Sequence, residues 1–530
     1  MPFNNVSSFK SSPLAPAANA IVAPEETEME RPPRIGGRSH FDFGNSTRYV
    51  IVFLSLACLT FICANSLTLN FTVICMVKDS VAGNGFELEQ DIDFGSNVTV
   101  KSEPIFDPME TSWLFSAIAI GQIFGTIPIT YFTNQYGVRK TFTVYGLLSG
   151  ASTLLIPTAV RYGFYPVFFM RILEGFAMAT SFPALGAIVA EWATIKSNGL
   201  FLAILSIHLQ LGSIFTMPIS GKFCDSSYGW PAVYYLQGFL TLLCFVVFAS
   251  FYRDSPGMHR NVSAKELQKI SVGKLHILST KPGAKRQRQP VPYRAILTDL
   301  SVWGIFISCF GGNFGYQLIT QFGPTYLNKV LGFSVQKTGF AAAAPFVFSI
   351  MLKMIGGPFS DRFTLISERA RVIMFNSIAQ FPMSICLILM ALLPVEYVGF
   401  LQIAFIAAGA FCGLNALGVS KSVQMISQQH CHFILAMNTF IVSAVMLIFP
   451  PIVSYLTPDN TPEQWAWVFY GVAFIVTTTA IFFNFTAQAS PRPWTLSSST
   501  SSAQIVDAGV VPTISAKMAS PLPEKANFDA

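Results

Sequence analysis

The segment FDPMETSWLFSAIAIGQIFGTIPITYFTNQYG, residues 106–137, joins an acidic start to a long apolar run. Residues 113–133 contain no Asp, Glu, Lys or Arg. A helix needs about 20 mostly apolar residues to cross the hydrocarbon core of a bilayer. This run is therefore long enough to span a membrane, and the polar turn that follows at 134–140 is expected at the opposite surface.

The whole chain has the composition of a membrane protein. Of its 530 residues, 52% are hydrophobic and only 11% are charged, whereas a soluble protein carries roughly a quarter charged residues. The pattern predicts an all-α protein with twelve spans, of which the seventh is the weakest because GGNFG at 311–315 interrupts it. The predicted spans are 49–77, 113–133, 141–160, 164–190, 200–219, 233–251, 303–325, 339–360, 372–393, 398–419, 433–456 and 465–486.

The charges of the connections predict the orientation, because Lys and Arg accumulate in cytoplasmic loops. Residues 253–297 contain ten Lys or Arg, and residues 78–111 contain eight Asp or Glu with a glycosylation sequon at Asn97. The basic connection at 253–297 is therefore expected in the cytoplasm. The acidic connection at 78–111 is expected on the other side of the membrane, with Asn97 as the glycan acceptor. The chain is predicted to begin with a disordered cytoplasmic tail at 1–47 and a six-helix half at 48–252. A cytoplasmic loop at 253–297, a second six-helix half at 298–486 and a second disordered cytoplasmic tail at 487–530 follow.

The two halves contain a weak internal repeat. Phe106 and Thr111 match Phe333 and Thr338 at an offset of 227 residues, and each copy is the second helix of its half. Related halves in parallel orientation are typical of transporters that bind their substrate between the halves, near the middle of the membrane.

The repeat and its polar turns resemble the major facilitator superfamily, whose signature after the second helix is G-x-x-x-D-R-x-G-R-R/K. The turns concerned are YGVRK at 136–140 and GGPFSDR at 356–362. The resemblance implies a fold of two six-helix halves and a cytoplasmic gate, in which charged residues at the helix ends hold the halves together. The implied gate residues are Asn134, Gly137, Arg139, Asp361 and Arg362.

Further motifs resemble the anion transporter family that contains sialin, the vesicular glutamate transporters and the sodium–phosphate cotransporters. They occur in order from about residue 48 to 494. The segments concerned are FDPMETSW at 106–113, RILEGFAMATSFPA at 171–184, QLGSIFTMPISG at 210–221, RDSPGMHRNVSAKE at 253–266 and ASPRPW at 489–494.

The chain departs from this family where the family carries polar groups. Thr68 and Gly312 stand at positions of family arginines, Phe115 at that of a histidine, and Met178 at that of a second glutamate. Arg171 and Glu174 are retained. Anion specificity therefore does not follow from the resemblance alone.

Arg171 and Glu174 are the leading candidates for the binding site. An ionised Arg or Glu at the bilayer centre costs at least about 2.5 kcal/mol on insertion scales, so such residues are paired or face a water-filled cavity. Their i, i+3 spacing puts both on one helix face. Arg171 is expected to bind an anionic group, and Glu174 either exchanges a proton or is only the structural partner of Arg171.

Other polar residues in apolar spans are weaker candidates. His208 is either a proton relay or a neutral, hydrogen-bonded helix residue, and Lys353 either reaches the cytoplasmic interface or supplies a missing cation. Glu174, His208 and Lys353 are the candidates for ion coupling. The amides suit either a polar ligand or helix–helix hydrogen bonds, and those assigned to substrate binding are Gln122, Asn313 and Gln317.

The nine cysteines lie mostly in apolar stretches without paired spacing. They predict small core residues and indicate neither a disulfide framework nor a metal site, and no motif for a cofactor or for catalysis appears. The residues concerned include Cys58, Cys63, Cys75, Cys244, Cys309, Cys386 and Cys412.

These features predict a monomeric secondary transporter, not an enzyme, in the plasma membrane or a vesicular or lysosomal membrane. The expected partners are a small organic solute, with an organic anion favoured, a coupling proton or sodium ion, and the lipid bilayer; no nucleic acid is expected. The alternatives are a carrier of a neutral or cationic solute and a transport-silent membrane sensor or scaffold.

Overall fold

The computed structural model describes residues 43–78, 103–194, 197–272, 291–362, 366–415, 418–419 and 421–495. Within them the chain is almost entirely helical. The long helices, numbered here α1 to α12, are Thr47–Thr72, Pro108–Thr133, Gln135–Val160, Phe164–Trp192, Asn198–Cys224, Pro231–Phe251, 300–330, Val335–Arg362, Glu368–Leu392, Val398–Cys412, Cys431–Leu456 and Pro462–Thr486.

Eleven of these helices in the described part of the chain are long and apolar enough to cross a membrane. The one long helix that falls outside this group is α7, whose amides and glycines lower its mean hydropathy. The predicted break at 311–315 is wrong, because the helix continues through this stretch and contains π-helical turns only later, at Leu318–Phe322 and Tyr326–Val330. The glycines allow close packing instead: a Cβ at Gly311 would collide with the Thr479 side chain of α12.

The two halves meet through helices α2 and α11 and through helices α5 and α8. At the second crossing the backbones touch, since a Cβ at Gly339 would lie 2.7 Å from the carbonyl oxygen of Met217. A Cβ at Gly221 would lie 3.1 Å from the carbonyl oxygen of Val335. Small residues permit this kind of approach between membrane helices.

The same end of the bundle is tied by hydrogen bonds between α2 and α11. Ser116 donates to the carbonyl of Leu447 at 2.9 Å, and Ser454 donates to the carbonyl of Pro108 at 3.0 Å. The charge pattern assigns this end to the non-cytoplasmic side. The halves are therefore packed together at the ends that the charge pattern predicts to be non-cytoplasmic.

At the other end, the segment after each half folds back on the first helix of that half. The carboxylate of Glu266 accepts from the backbone N–H groups of Thr47 and Arg48 at 3.2 and 2.9 Å, which satisfies free donors at the start of α1. Asp299, at the start of α7, accepts from Arg492 at 2.6 Å and from Trp494 at 2.9 Å.

These contacts order two segments outside the long helices. Residues 487–495, assigned from sequence to the disordered tail, are packed against α7, and residues 253–272 of the central loop are folded on the first half. Burial alone would raise the pKa of Asp299, but the hydrogen bonds from Arg492 and Trp494 lower that pKa below its usual value. The carboxylate therefore stays charged and retains both partners.

One prediction about the cysteines is wrong. Cys75, after α1, and Cys224, at the end of α5, form a disulfide at the end that the charge pattern predicts to be non-cytoplasmic. The pairing joins residues 149 positions apart in sequence, so no local spacing could indicate it. Disulfides persist in oxidising compartments, which agrees with the orientation derived from the loop charges.

We expect the disulfide to be measurable by counting thiols. The denatured protein should take up seven maleimide–polyethylene glycol labels without reductant, one for each free cysteine, and nine after reduction. Cys224→Ala should give eight labels in both conditions, because Cys75 loses its partner. Nine labels on the unreduced protein would contradict the pairing.

Candidate functional site

A cavity of about 190 Å³ lies between the halves, near the middle of the spans. Its wall includes five of the residues predicted from sequence, contributed by both halves. They are Gln122, Arg171, Asn313, Gln317 and Lys353. Glu174 and His208 are not part of the wall.

Arg171 and Glu174 form an ion pair inside the first half. Nη1 of Arg171 lies 2.8 Å from Oε2 of Glu174, and each side chain is 1% exposed. Arg171 also donates to the backbone carbonyls of Ser66 and Leu114 at 2.9 and 3.3 Å, and Thr153 donates to Oε1 of Glu174 at 2.7 Å. The pair therefore joins α4 to α1, α2 and α3, and Arg171 contributes to the cavity wall although it is almost fully buried.

His208 and Lys353 have different surroundings. His208 is fully buried, and its Nδ1 lies 2.7 Å from the carbonyl oxygen of Leu205. Lys353, on α8, is half-buried and donates through Nζ to Oε1 of Gln210, on α5, at 3.2 Å. Lys353 thus reaches across the cavity to the other half rather than toward the membrane surface.

Amide and hydroxyl groups supply much of the remaining polar wall. Four of their oxygens are buried without a hydrogen-bond partner in the described part of the chain, on Asn70, Gln122, Gln321 and Asn415. Buried polar atoms in native proteins are nearly always paired. These oxygens are therefore available to donors on a bound solute or to water.

The amides within the spans have two different roles. Asn65 donates to Ser149 at 2.9 Å and to Thr241 at 3.0 Å, so its role is to join α1 with α3 and α6. Gln210 and Asn415 line the cavity but were not selected from sequence. For both Gln210 and Asn415, the sequence feature that could have indicated a place in the cavity wall is an amide within an apolar span.

The departures from the family pattern have different surroundings. Gly312 and Met178 lie in the cavity wall, and a Cβ at Gly312 would lie 2.8 Å from the amide nitrogen of Asn415. Thr68 donates to Gln237 at 2.5 Å inside the first half, and Phe115 packs edge-to-face on Phe322. The wall therefore lacks charge at two positions where the resemblance predicts it.

The predicted gate is described only in its first copy. The first turn of α3 contains Gly137, at φ +82°, a non-helical conformation that favours glycine. The backbone N–H of Arg139 donates to Oδ1 of Asp254 at 2.8 Å, and its Nε donates to the carbonyl of Ala249 at 2.7 Å. Burial raises the pKa of Asp254. Both contacts of Arg139 remain within the first half.

The other gate residues cannot be placed to the same extent. Asp361 and Arg362 belong to the last turn of α8, and Asn134 lies at the junction of α2 and α3, but their side chains lie outside the described part of the structure. The predicted glycan acceptor Asn97 also lies outside the described residues.

Two helical halves around a central polar cavity define a membrane transporter rather than an enzyme. The sequence model of the Major Facilitator Superfamily matches residues 49–420. The chain belongs to this superfamily, as its repeat and polar turns predicted, and is an integral multi-pass membrane protein.

Similar proteins confirm the more specific resemblance to anion transporters. Sialin of Homo sapiens is 28% identical over 401 residues, which cover 74% of this chain and 78% of sialin. Vesicular glutamate transporter 2 of Bos taurus is 23% identical over 459 residues, which cover 85% and 76%. Among solved structures, a D-xylose–proton symporter matches with a TM-score of 0.59 at 14% identity, over 83% of this chain and 98% of the symporter, and supports the fold.

We expect Glu174→Gln to lower the thermal stability of the purified protein, because it leaves Arg171 as an uncompensated buried cation. Breaking a buried ion pair by removing one partner typically costs about 3–5 kcal/mol. The double change Arg171→Gln with Glu174→Gln should recover part of the loss, since no charge then stays buried. Glu396→Gln, at an exposed site, is the matched control. Equal melting temperatures for Glu174→Gln and the wild type would contradict the assigned role.

Proposed function

We propose that the protein is a secondary transporter that carries a small organic anion by alternating access, with the central cavity as its binding site. One observation supports this most directly: among the described residues the cavity wall contains Arg171 and Lys353 but no Asp or Glu. A wall with this balance attracts anions and disfavours cations. The similarity to proteins named vesicular glutamate transporters points to the same class of solute.

The neutral part of the wall supports a solute with hydrogen-bond donors. The unpaired buried oxygens described above accept hydrogen bonds, and a site built in this way discriminates against ligands that leave its polar groups unpaired. A small acid with hydroxyl or N–H groups would satisfy both the cations and the amides. A wholly apolar acid would leave the amides unpaired.

The contacts between the halves support the transport cycle. The non-cytoplasmic ends are held by the glycine crossing of α5 and α8 and by the bonds from Ser116 and Ser454. We propose that these contacts open and re-form during transport. A gradient of protons or sodium ions is the candidate driving force, and among Glu174, His208 and Lys353 only Lys353 lies in the cavity wall.

For the cytoplasmic side, we propose that the turn containing Gly137 and Arg139 and the end of α8 containing Asp361 and Arg362 form the gate of the outward-facing state. The support is the fixed position of the first turn, in which Asp254 holds the backbone of Arg139. The second copy of the motif supplies opposite charges at a helix end.

A neutral polar solute is the second candidate. It is favoured by Gly312 and Met178 in the wall, which bring no charge to positions where the resemblance predicts Arg and Glu. The two candidates differ in whether the charge of the solute determines its transport.

Uptake into proteoliposomes under imposed pH and sodium gradients tests the proposal. We expect gluconate to be taken up in preference to glucose and glucosamine, three solutes with a similar polyhydroxyl body and different charge, and L-glutamate in preference to L-glutamine. The cation surplus of the cavity is the reason. Arg171→Lys should reduce anion uptake, because Lys lacks the planar fork of donors with which Arg171 bonds Glu174 and the carbonyls of Ser66 and Leu114, so the wall loses its shape. Preferred uptake of glucose would favour the neutral candidate, and absence of anion uptake would overturn the proposal.

A further inference from the structure

The two cations of the cavity differ in how far their charge is compensated. Arg171 is bonded to the carboxylate of Glu174 and to two backbone carbonyls. Lys353 has a neutral amide, Gln210, as its hydrogen-bond partner, and the described residues place no carboxylate within ion-pair distance of it. Glu174 neutralises the charge of Arg171, so the positive charge of Lys353 is the one that stays uncompensated.

An uncompensated ammonium within a membrane bundle is costly unless it pairs or faces water. Lys353 is half-buried and lies in the wall of the cavity, so a bound solute can reach its Nζ. Arg171 is 1% exposed and has its carboxylate partner behind the wall. An anion that enters the cavity therefore has better access to Lys353 than to Arg171.

The partner of Lys353 adds a structural consequence. Lys353 belongs to α8 of the second half and Gln210 to α5 of the first half, so their 3.2 Å bond connects the halves across the cavity. An ammonium bonded to a carboxylate gains the attraction between two opposite charges, which an ammonium bonded to a neutral amide oxygen lacks. A carboxylate in the cavity therefore competes favourably with the amide oxygen of Gln210.

We propose that Lys353 is the residue that binds the anionic group of the substrate, a small organic acid with one net negative charge, and that this binding replaces the Lys353–Gln210 bond between the halves. Arg171 is then a positioning residue, which fixes α4 and shapes the wall through its pair with Glu174. This inference rests on the proposed function and assigns its specificity to a residue of α8.

Equilibrium binding of radiolabelled gluconate and L-glutamate to the purified protein tests the inference. Lys353→Met should weaken binding of the anion at least tenfold, whereas Lys353→Arg should retain most of it because the charge is kept. Gln210→Leu should bind the anion at least as tightly as the wild type, since it removes a competitor. Lys337→Met is the matched control, because Lys337 is an exposed lysine at the other end of the same helix.

A second readout separates a role in specificity from a role in stability. Lys353→Met, or Lys353→Gln if the methionine variant fails to fold, should shift the ratio of gluconate to glucose binding toward glucose. A merely structural loss would weaken both solutes equally and would overturn the inference, as would a loss in Gln210→Leu equal to that in Lys353→Met. If the wild type binds and transports neither anion, the proposed function fails and the inference fails with it. If it binds an anion that Lys353→Met binds equally well, only the inference fails.

Discussion

The buried ion pair of Arg171 and Glu174 determines how charge is distributed in this protein. Charged groups are tolerated within a bilayer only when they are paired, bonded or hydrated. The pair meets this condition inside the first half, where Thr153 and the carbonyls of Ser66 and Leu114 complete its hydrogen bonds. Because Glu174 is bonded to Arg171 and Thr153, its carboxylate does not line the cavity. The second half adds Lys353 to the wall, and the charge of this lysine is uncompensated.

The packing of the halves connects the charge of Lys353 with the movement of the halves that we propose for transport. Close contacts at the ends predicted to be non-cytoplasmic involve backbone and small side chains, so their separation would leave no buried charge unpaired. The disulfide Cys75–Cys224 fixes the end of α5 to the segment after α1, so these parts of the first half move together. At the cavity the halves are joined by Lys353 and Gln210, a contact that we propose an anion replaces.

Much of the fold could be predicted from sequence, because membrane spans depend on length, hydropathy and loop charge, which are local properties. The continuity of α7 could not, since GGNFG resembles a helix break until the neighbouring Thr479 is seen to require glycine at 311. The candidate site was predicted in part: a charge or amide in an apolar span indicates the interior of the bundle but not which side chains line the cavity. Thus Lys353 lies in the wall and Glu174 behind it. The Cys75–Cys224 pair and the partners Gln210 and Asn415 depend on tertiary contacts that a single sequence does not record.

The central claim is that the cavity is hydrated and carries a positive charge from Lys353. Cys412 lies in its wall and can report on this when the other free cysteines are replaced and the disulfide is kept. The measurement is the rate at which Cys412 reacts with an anionic and with a cationic methanethiosulfonate, each divided by the rate for a small thiol in solution. We predict that the normalised rate is higher for the anionic reagent and that this preference disappears in Lys353→Met. Equal normalised rates in the unmodified cavity, or a faster reaction with the cationic reagent, would contradict the account.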